Sequence, residues 1–549
     1  MSGTWQALAN QPSFTPSTML LLTDGTVMVQ SYCSNHWWRL WPDAGGGYVN
    51  GTWTQMADSP NAPMYYASAV LADGRVFVAG GEYDNCLRAD LYAAQVYDPV
   101  LNNWTNIPLP AGWTEIGDAP CCVLPDGRVL VGSIQGTQTA IYDPVANAWT
   151  PAASKASTAS EETWTLLPDE TVLTVECYNS PHAEKYVIAA DSWVTAGSTP
   201  TDIILESLNE IGPALLLPDG RVFYIGGNGN TAIYNPPPVA NMQGSWTNGP
   251  SFPNSWKSPD APGVLLSNGR VLCVAGPDAG GWASPTHFFE FDGTSLNAVA
   301  DPPNNNGVTY NGRLLLVATG QVLYANNGTI QVYTPDSGPN PAWQPVITSS
   351  PSFVRVAHTA TLYGQLLNGL SQACSYGDDC SNATNYPLVR LESGGRVWYC
   401  RTFGHSSMGV ATGFSIQSTN FIVPCGVPTG PCNLCVIVNG IQSACVPINV
   451  GPFIFNLPFN EAAVNFLIGS LADGPLWVLT PHGPVPVDPW GPKIAQEAKN
   501  AFRQIVGGLR ELRDLGREVT KLQAAPAEKR AMEPAAASGS LERKTPKKK

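Results

Sequence analysis

A two-residue turn returns seven times along this chain at a nearly fixed interval. It falls at Asp24-Gly25, Asp73-Gly74, Asp126-Gly127, Asp169-Glu170, Asp219-Gly220, Asn268-Gly269 and Thr319-Gly320. The successive spacings are 49, 53, 43, 50, 49 and 51 residues. Each turn separates two apolar, β-rich runs. Asp-Gly in such a setting predicts a hairpin, read here as a type I′ turn with positive φ at both central residues.

Each hairpin is followed by a second recurring signal. Tyr97-Asp98-Pro99 precedes Trp104, Tyr142-Asp143-Pro144 precedes Trp149, and Tyr234-Asn235-Pro236 precedes Trp246. Trp41-Pro42 with Trp53, and Tyr333-Thr334-Pro335 with Trp343, are degenerate versions. The unit is therefore four strands long. Four-stranded units of about 50 residues are propeller blades, and the fixed period argues against a stack of sandwiches. Gly3-Thr4-Trp5-Gln6 has the outer-strand pattern with no inner strands before it. It is expected to close the ring by pairing with the last blade, which removes the exposed sheet edges. Plentiful Gly (53) and Pro (49), with only 13% charged residues, suit many short strands joined by tight turns.

Val70 to Gly81 (VLADGRVFVAGG) and Leu215 to Gly227 (LLLPDGRVFYIGG) resemble the kelch repeat, and the later Tyr and Trp stand where that family has them. The resemblance covers roughly residues 1–345 and implies a seven-bladed kelch-type β-propeller. From about Ile347 the period stops. Strands are expected at Thr359–Tyr363, Leu388–Leu391, Val397–Arg401, Asn420–Val423, Leu434–Val438 and Val446–Val450. Asn439-Gly440-Ile441-Gln442-Ser443 before a closing strand is similar to the end of an IPT/TIG-type immunoglobulin-like domain, so 346–450 is expected to be an immunoglobulin-like β-sandwich. A Pro-rich apolar extension (451–492), an amphipathic helix (493–523) and a disordered basic tail (524–549) are expected to follow. The helix rests on apolar residues from Ile494 to Leu522 spaced by three or four, and is a candidate for docking or oligomerisation.

The net charge of −14 hides an asymmetry: the chain from Lys493 onward carries +7 and the body before it −21. An acidic body repels nucleic acid and anionic membrane and attracts cations or basic partners. No apolar run reaches about 18 residues, so no membrane span is expected. The opening Met-Ser-Gly-Thr-Trp shows neither a charged n-region nor an apolar h-region. The default expectation is a cytoplasmic protein, with an extracellular place reached by another route.

Propellers bind ligands at a mouth of the central channel, where the loops entering the innermost strands converge. Several of those loops are acidic here. Glu115 and Asp118 precede blade three, Glu161 and Glu162 blade four, Glu210 blade five and Asp260 blade six. Trp113, Tyr65, Tyr66 and Lys257 are close in sequence. Such a ring suits Ca²⁺, held by oxygens of Glu161, Glu210 and Asp260, or a sugar or cationic ligand stacked on aromatic rings. Solvated loop charges are the bland alternative.

A sandwich after a kelch propeller is also the domain order of the galactose oxidase and glyoxal oxidase family. That resemblance implies a copper-radical site of two tyrosines, a cysteine and two histidines. His358, His405 and Cys121 (or Cys122) match in part, but Ala357 and Glu161 stand where the tyrosines fall. Without them neither the radical nor the phenolate ligand forms, so no cofactor is expected, copper included, apart from the candidate Ca²⁺. Six histidines form no HxH or HExxH pattern, and no G-x-S-x-G elbow occurs. Cys432 and Cys435, with Cys425 and Cys445, allow a four-thiolate zinc site, and Cys374–Cys380 allows a disulfide; buried apolar thiols are the alternative. The reading that results is a non-catalytic propeller binding a protein or glycan at an acidic mouth. Its rival is a divergent oxidase acting on a carbohydrate, alcohol or aldehyde.

Overall fold

The computed structural model describes residues 3–278, 282–376 and 382–452, together with the strands Trp477–Thr480 and Gly483–Pro486. The expected helix at 493–523 and the tail at 524–549 lie outside the described residues. Within the expected Pro-rich extension, Trp477–Thr480 pairs antiparallel with Gly483–Pro486.

Seven four-stranded antiparallel units follow one another. Blade one comprises Pro16–Leu21, Val27–Ser31, Trp37–Trp41 and Thr52–Gln55. The innermost strands of blades two to seven are Ala67–Val70, Cys121–Val123, Thr165–Leu166, Ala214–Leu216, Pro262–Leu265 and Arg313–Leu316. The last blade has only three strands of its own. Its fourth is Thr4–Ala7, which pairs with Thr329–Thr334 in the register Trp5 to Tyr333. Ring closure by the N-terminal strand is thus as expected.

The turns differ from the expectation in type. In blade one Gly25 N–H donates to Leu22 O, and only Gly25 has positive φ (73°). The Asp24 carboxylate accepts the N–H of Thr26 at 3.1 Å, which holds Asp24 itself in ordinary right-handed backbone. This is a type I turn followed by a left-handed glycine, the three-residue hairpin, not a type I′ turn. Blades two, three, five, six and seven repeat the bond, and in blade four Glu170 takes the glycine's place at φ 59°.

The repeating Tyr and Trp have a mechanical reason. Tyr97–Trp104, Tyr142–Trp149, Tyr186–Trp193 and Tyr234–Trp246 are cross-strand pairs with centroids 5.0–5.4 Å apart. Each tryptophan then donates its indole N–H to a backbone carbonyl of the preceding blade: Trp104 to Ala57, Trp149 to Pro108, Trp193 to Ala153 and Trp246 to Ala196. One ring fills the blade core while its polar edge rivets two blades together.

Beyond the blades lies a second all-β module, with the strands Thr359–Gln365, Leu388–Ser393, Arg396–Phe403, Gln417–Ile422, Gly430–Val438 and Val446–Gly451. Leu362, Leu391, Phe421, Leu434 and Val436 form its core. It packs on the turn face of the propeller: Thr402 N–H donates to Thr23 O, Gly404 N–H to Ala72 O and Met408 N–H to Pro125 O. From this module a segment threads the channel. Cys374–Tyr376 pairs antiparallel with Pro262–Leu265 of blade six. On the way Gln372 accepts the N–H of Leu166, Ser375 Oγ that of Ala214 and Cys374 Sγ that of Leu316. Backbone donors left over on the inner strands are satisfied in this way.

Candidate functional site

The far end of that segment opens on a cavity of about 370 Å³ at the opposite mouth. The loops entering the innermost strands of blades two to six give it, in order, Tyr65, Asp118, Glu161, Glu210 and Asp260, and the loop into blade seven gives Tyr310. Loops between second and third strands add Tyr32 from blade one, Glu82, Tyr83 and Cys86 from blade two, and Trp282 from blade six. Tyr376, carried in by the threading segment, and Met64 complete the wall.

Two kinds of surface meet here. The aromatic side is a chain of edge contacts: Tyr83 to Tyr65 at 6.0 Å, Tyr65 to Tyr310 at 6.2 Å and Tyr310 to Trp282 at 5.3 Å. The Arg313 guanidinium covers Tyr376 at 3.7 Å, and the Tyr376 hydroxyl donates to Tyr310 O. The acidic side is Glu82, Asp118, Glu161, Glu210 and Asp260. Burial pushes the Glu210 carboxyl far above the usual carboxylate range, and Asp260, hydrogen-bonded to it, adds repulsion, as do Glu161 and Asp118. Two carboxyls this close disfavour double ionisation. The Trp282 indole N–H donates to Asp260 Oδ2 at 3.1 Å. Burial also raises Glu82, against the Arg88 guanidinium that pairs with it at 2.5 Å.

Four wall residues hold left-handed backbone: Tyr65 at φ 51°, Cys86 at 61°, Glu161 at 62° and Asp260 at 46°. Each costs about 1–3 kcal/mol, so the surrounding fold fixes these loops against a local preference.

The other proposed ligand residues lie elsewhere. Tyr66 follows Tyr65 but turns into the core, where its hydroxyl donates to Gln30 Oε1 at 2.6 Å. Glu162 follows Glu161 but is fully buried, 3.1 Å from the Lys155 ammonium, which also pairs with Glu184. Burial raises Glu162 to about 7, with Lys155 and the Trp164 indole opposing. Lys257 pairs with Asp278 at 3.0 Å. Trp113 packs against the propeller core, and Glu115 is half-buried outside the wall.

The residues considered for copper are not brought together at the cavity. Cys121 sits on the inner strand of blade three with its Sγ toward Ser68 O. His358 and His405 belong to the second module. The cavity wall offers carboxylates, phenols and sulfur but no imidazole, so it does not fit a nitrogen-ligated copper(II) centre. Nor do the cysteines form the four-thiolate site: Cys435 and Cys445 are disulfide-bonded, Cys432 is a buried free thiol and Cys425 an exposed one. Cys374 is free and buried; Cys380 lies outside the described residues. An unforeseen disulfide, Cys33–Cys86, joins the blade-one and blade-two loops at the cavity rim.

No protein-family profile matches the chain. A curated relative, the kelch-like protein terF of Aspergillus terreus, is 30% identical over 123 residues, which is 22% of this chain and 26% of that protein. The match thus spans about a quarter of the relative's length. Among solved structures, a fungal alcohol oxidase of the AA5 family in complex with copper is similar at 16% identity and TM-score 0.49, over 82% of this chain and 99% of that one. A streptogramin B lyase is similar at 12% identity and TM-score 0.44, over 61% and 99%. On its repeat, its blades and its ring closure, the chain is a seven-bladed β-propeller.

Proposed function

We propose that the propeller binds a small organic cation in the acidic, aromatic cup at its mouth. The observation that carries this reading is the crowding of five carboxylates against six aromatic residues in one cavity. Burial first, and then the neighbouring Asp260, Glu161 and Asp118, push the Glu210 carboxyl far above the usual carboxylate range. An ammonium group would relieve the repulsion among these carboxyls, and the ring faces would add cation–π attraction of about 0.5–2 kcal/mol each. The hard oxygen donors also suit Ca²⁺, but a metal alone would leave the aromatic half of the cup unused.

Calorimetric titration at low salt with choline, spermidine and Ca²⁺ tests this. Binding of an organic amine that falls at least tenfold in Glu210→Gln and in Trp282→Ala supports the reading. Binding of Ca²⁺ alone, lost in Glu210→Gln but indifferent to Trp282→Ala, replaces it with a calcium site. No binding of any of them refutes it.

A second reading, an enzyme acting on a carbohydrate, alcohol or aldehyde, has one observation in its favour. Glu210 and Asp260 are hydrogen-bonded carboxyls in one cavity, the kind of pair that general acid–base catalysis uses. Incubation with a panel of such substrates, comparing the chain with Glu210→Gln, separates turnover from simple binding. Interaction with a protein partner, suggested by the kelch-like relative, rests on that likeness alone.

A further inference from the structure

At the rim of the cup three sulfur atoms from three separate loops come together. Cys33 Sγ lies 3.1 Å from Met64 Sδ, and Cys86 Sγ lies 4.0 Å from the same atom. Cys33 and Cys86 are joined as a disulfide here, with their Cα atoms 5.2 Å apart. Met64 is buried and fixed: its strand Pro63–Met64 pairs with Tyr83–Asp84, and its carbonyl accepts the N–H of Glu82. Cys86, by contrast, is exposed on its hairpin, within reach of a small thiol.

We infer that, as a dithiol, the Cys33–Cys86 pair joins Met64 to form a three-sulfur site for a soft monovalent metal ion, copper(I). The reducing step consumes two small thiols. Their two electrons break the S–S bond, two protons end on the Cys33 and Cys86 sulfurs, and the thiols leave as their own disulfide. The metal ion then displaces both protons and bonds two thiolates and one thioether. Thiolate and thioether donors select copper(I) over the hard cations that the neighbouring carboxylates prefer. Metal–sulfur bonds of about 2.3 Å in a triangle place sulfurs about 4 Å apart. The Cys86–Met64 separation already has that length, and opening the disulfide supplies another side. Glu82 and Asp118 on the same wall keep the local field negative, which favours a cation beside two thiolates. Its three ligands, Cys33, Cys86 and Met64, are none of the carboxylates or rings on which the amine reading rests, so each can fail without the other.

The test uses the full chain carrying Cys425→Ser, which removes the one exposed free thiol among the described residues. After reduction and anaerobic desalting, copper(I) is offered from a chromophoric bicinchoninate complex. The expected result is one copper withdrawn per chain, with an all-sulfur shell in X-ray absorption. The unreduced protein withdraws none. Met64→Leu, close in volume, weakens uptake at least tenfold, and Cys33→Ser with Cys86→Ser abolishes it. Equal uptake by the double serine variant, unchanged affinity in Met64→Leu, or no uptake by the reduced chain overturns the proposal.

Discussion

His405 gives the junction between the propeller and the second module a built-in acid sensitivity. Its ring is nearly inaccessible, its Nδ1 is 2.9 Å from Thr419 Oγ1, and it stacks on Tyr386 at 6.1 Å. The Tyr386 hydroxyl in turn donates to Leu21 O of blade one. Burial, with the Arg401 guanidinium adding to it, lowers the imidazole to about 3. The unfolded chain binds this proton near pH 6.5, while the folded one refuses it until about pH 3. The stability that depends on neutral His405 is therefore complete above pH 6.5 and lost as pH falls toward 3. Between pH 7.5 and pH 5 the loss from this group is about 2 kcal/mol. Urea unfolding at both pH values, on the parent and on His405→Gln, isolates it. Glutamine cannot take up the proton, so the variant should lose about 2 kcal/mol less than the parent over that interval. Equal losses would show that the ring is hydrated or already paired in the folded state, and the argument would fail.

Lys155→Met should be severe and pH-dependent in the opposite sense. It strands the buried Glu162 and Glu184 carboxylates, at a cost of about 3–5 kcal/mol. Because Glu162 already titrates near 7, thermal melts of the variant should show a larger deficit at pH 8 than at pH 6. Glu170→Gly should stabilise blade four by about 0.5 kcal/mol, since left-handed strain of about 1–2 kcal/mol is relieved against about 0.5–1 kcal/mol of glycine entropy. A fall in the urea midpoint would contradict that reading of the turn.

The propeller was legible because its two recurring signals are each forced by a local geometry. Only a left-handed residue closes the inner hairpin, and only an indole both fills the blade and reaches the next one. The turn type was misread because the aspartate carboxylate captures a backbone N–H two residues on, a bond that dipeptide preferences do not show. The cup was legible where one rule applies: a residue in the loop before an inner strand faces the axis. That rule found Tyr65, Asp118, Glu161, Glu210 and Asp260, and carried to the last blade it would have found Tyr310 as well. It failed at Tyr66 and Glu162 because each follows a left-handed residue, Tyr65 or Glu161, beyond which the chain turns the next side chain into the core.

Tyr376 had no such signal, and it shapes the site more than any single loop does. Its strand adds to the inner edge of blade six while its neighbours bond to the inner strands of blades four, five and seven. The channel is therefore occupied from the turn face up to the floor of the cup. A ligand reaching the carboxylates must pass the rim formed by Tyr32, Cys86, Tyr83 and Trp282, which are the residues least constrained by the repeat. Chemistry that the blades repeat thus ends in a chamber whose floor comes from another module and whose gate comes from irregular loops. Selectivity should follow those two sources, so exchanging the rim hairpin should alter which cation binds while leaving the blades intact.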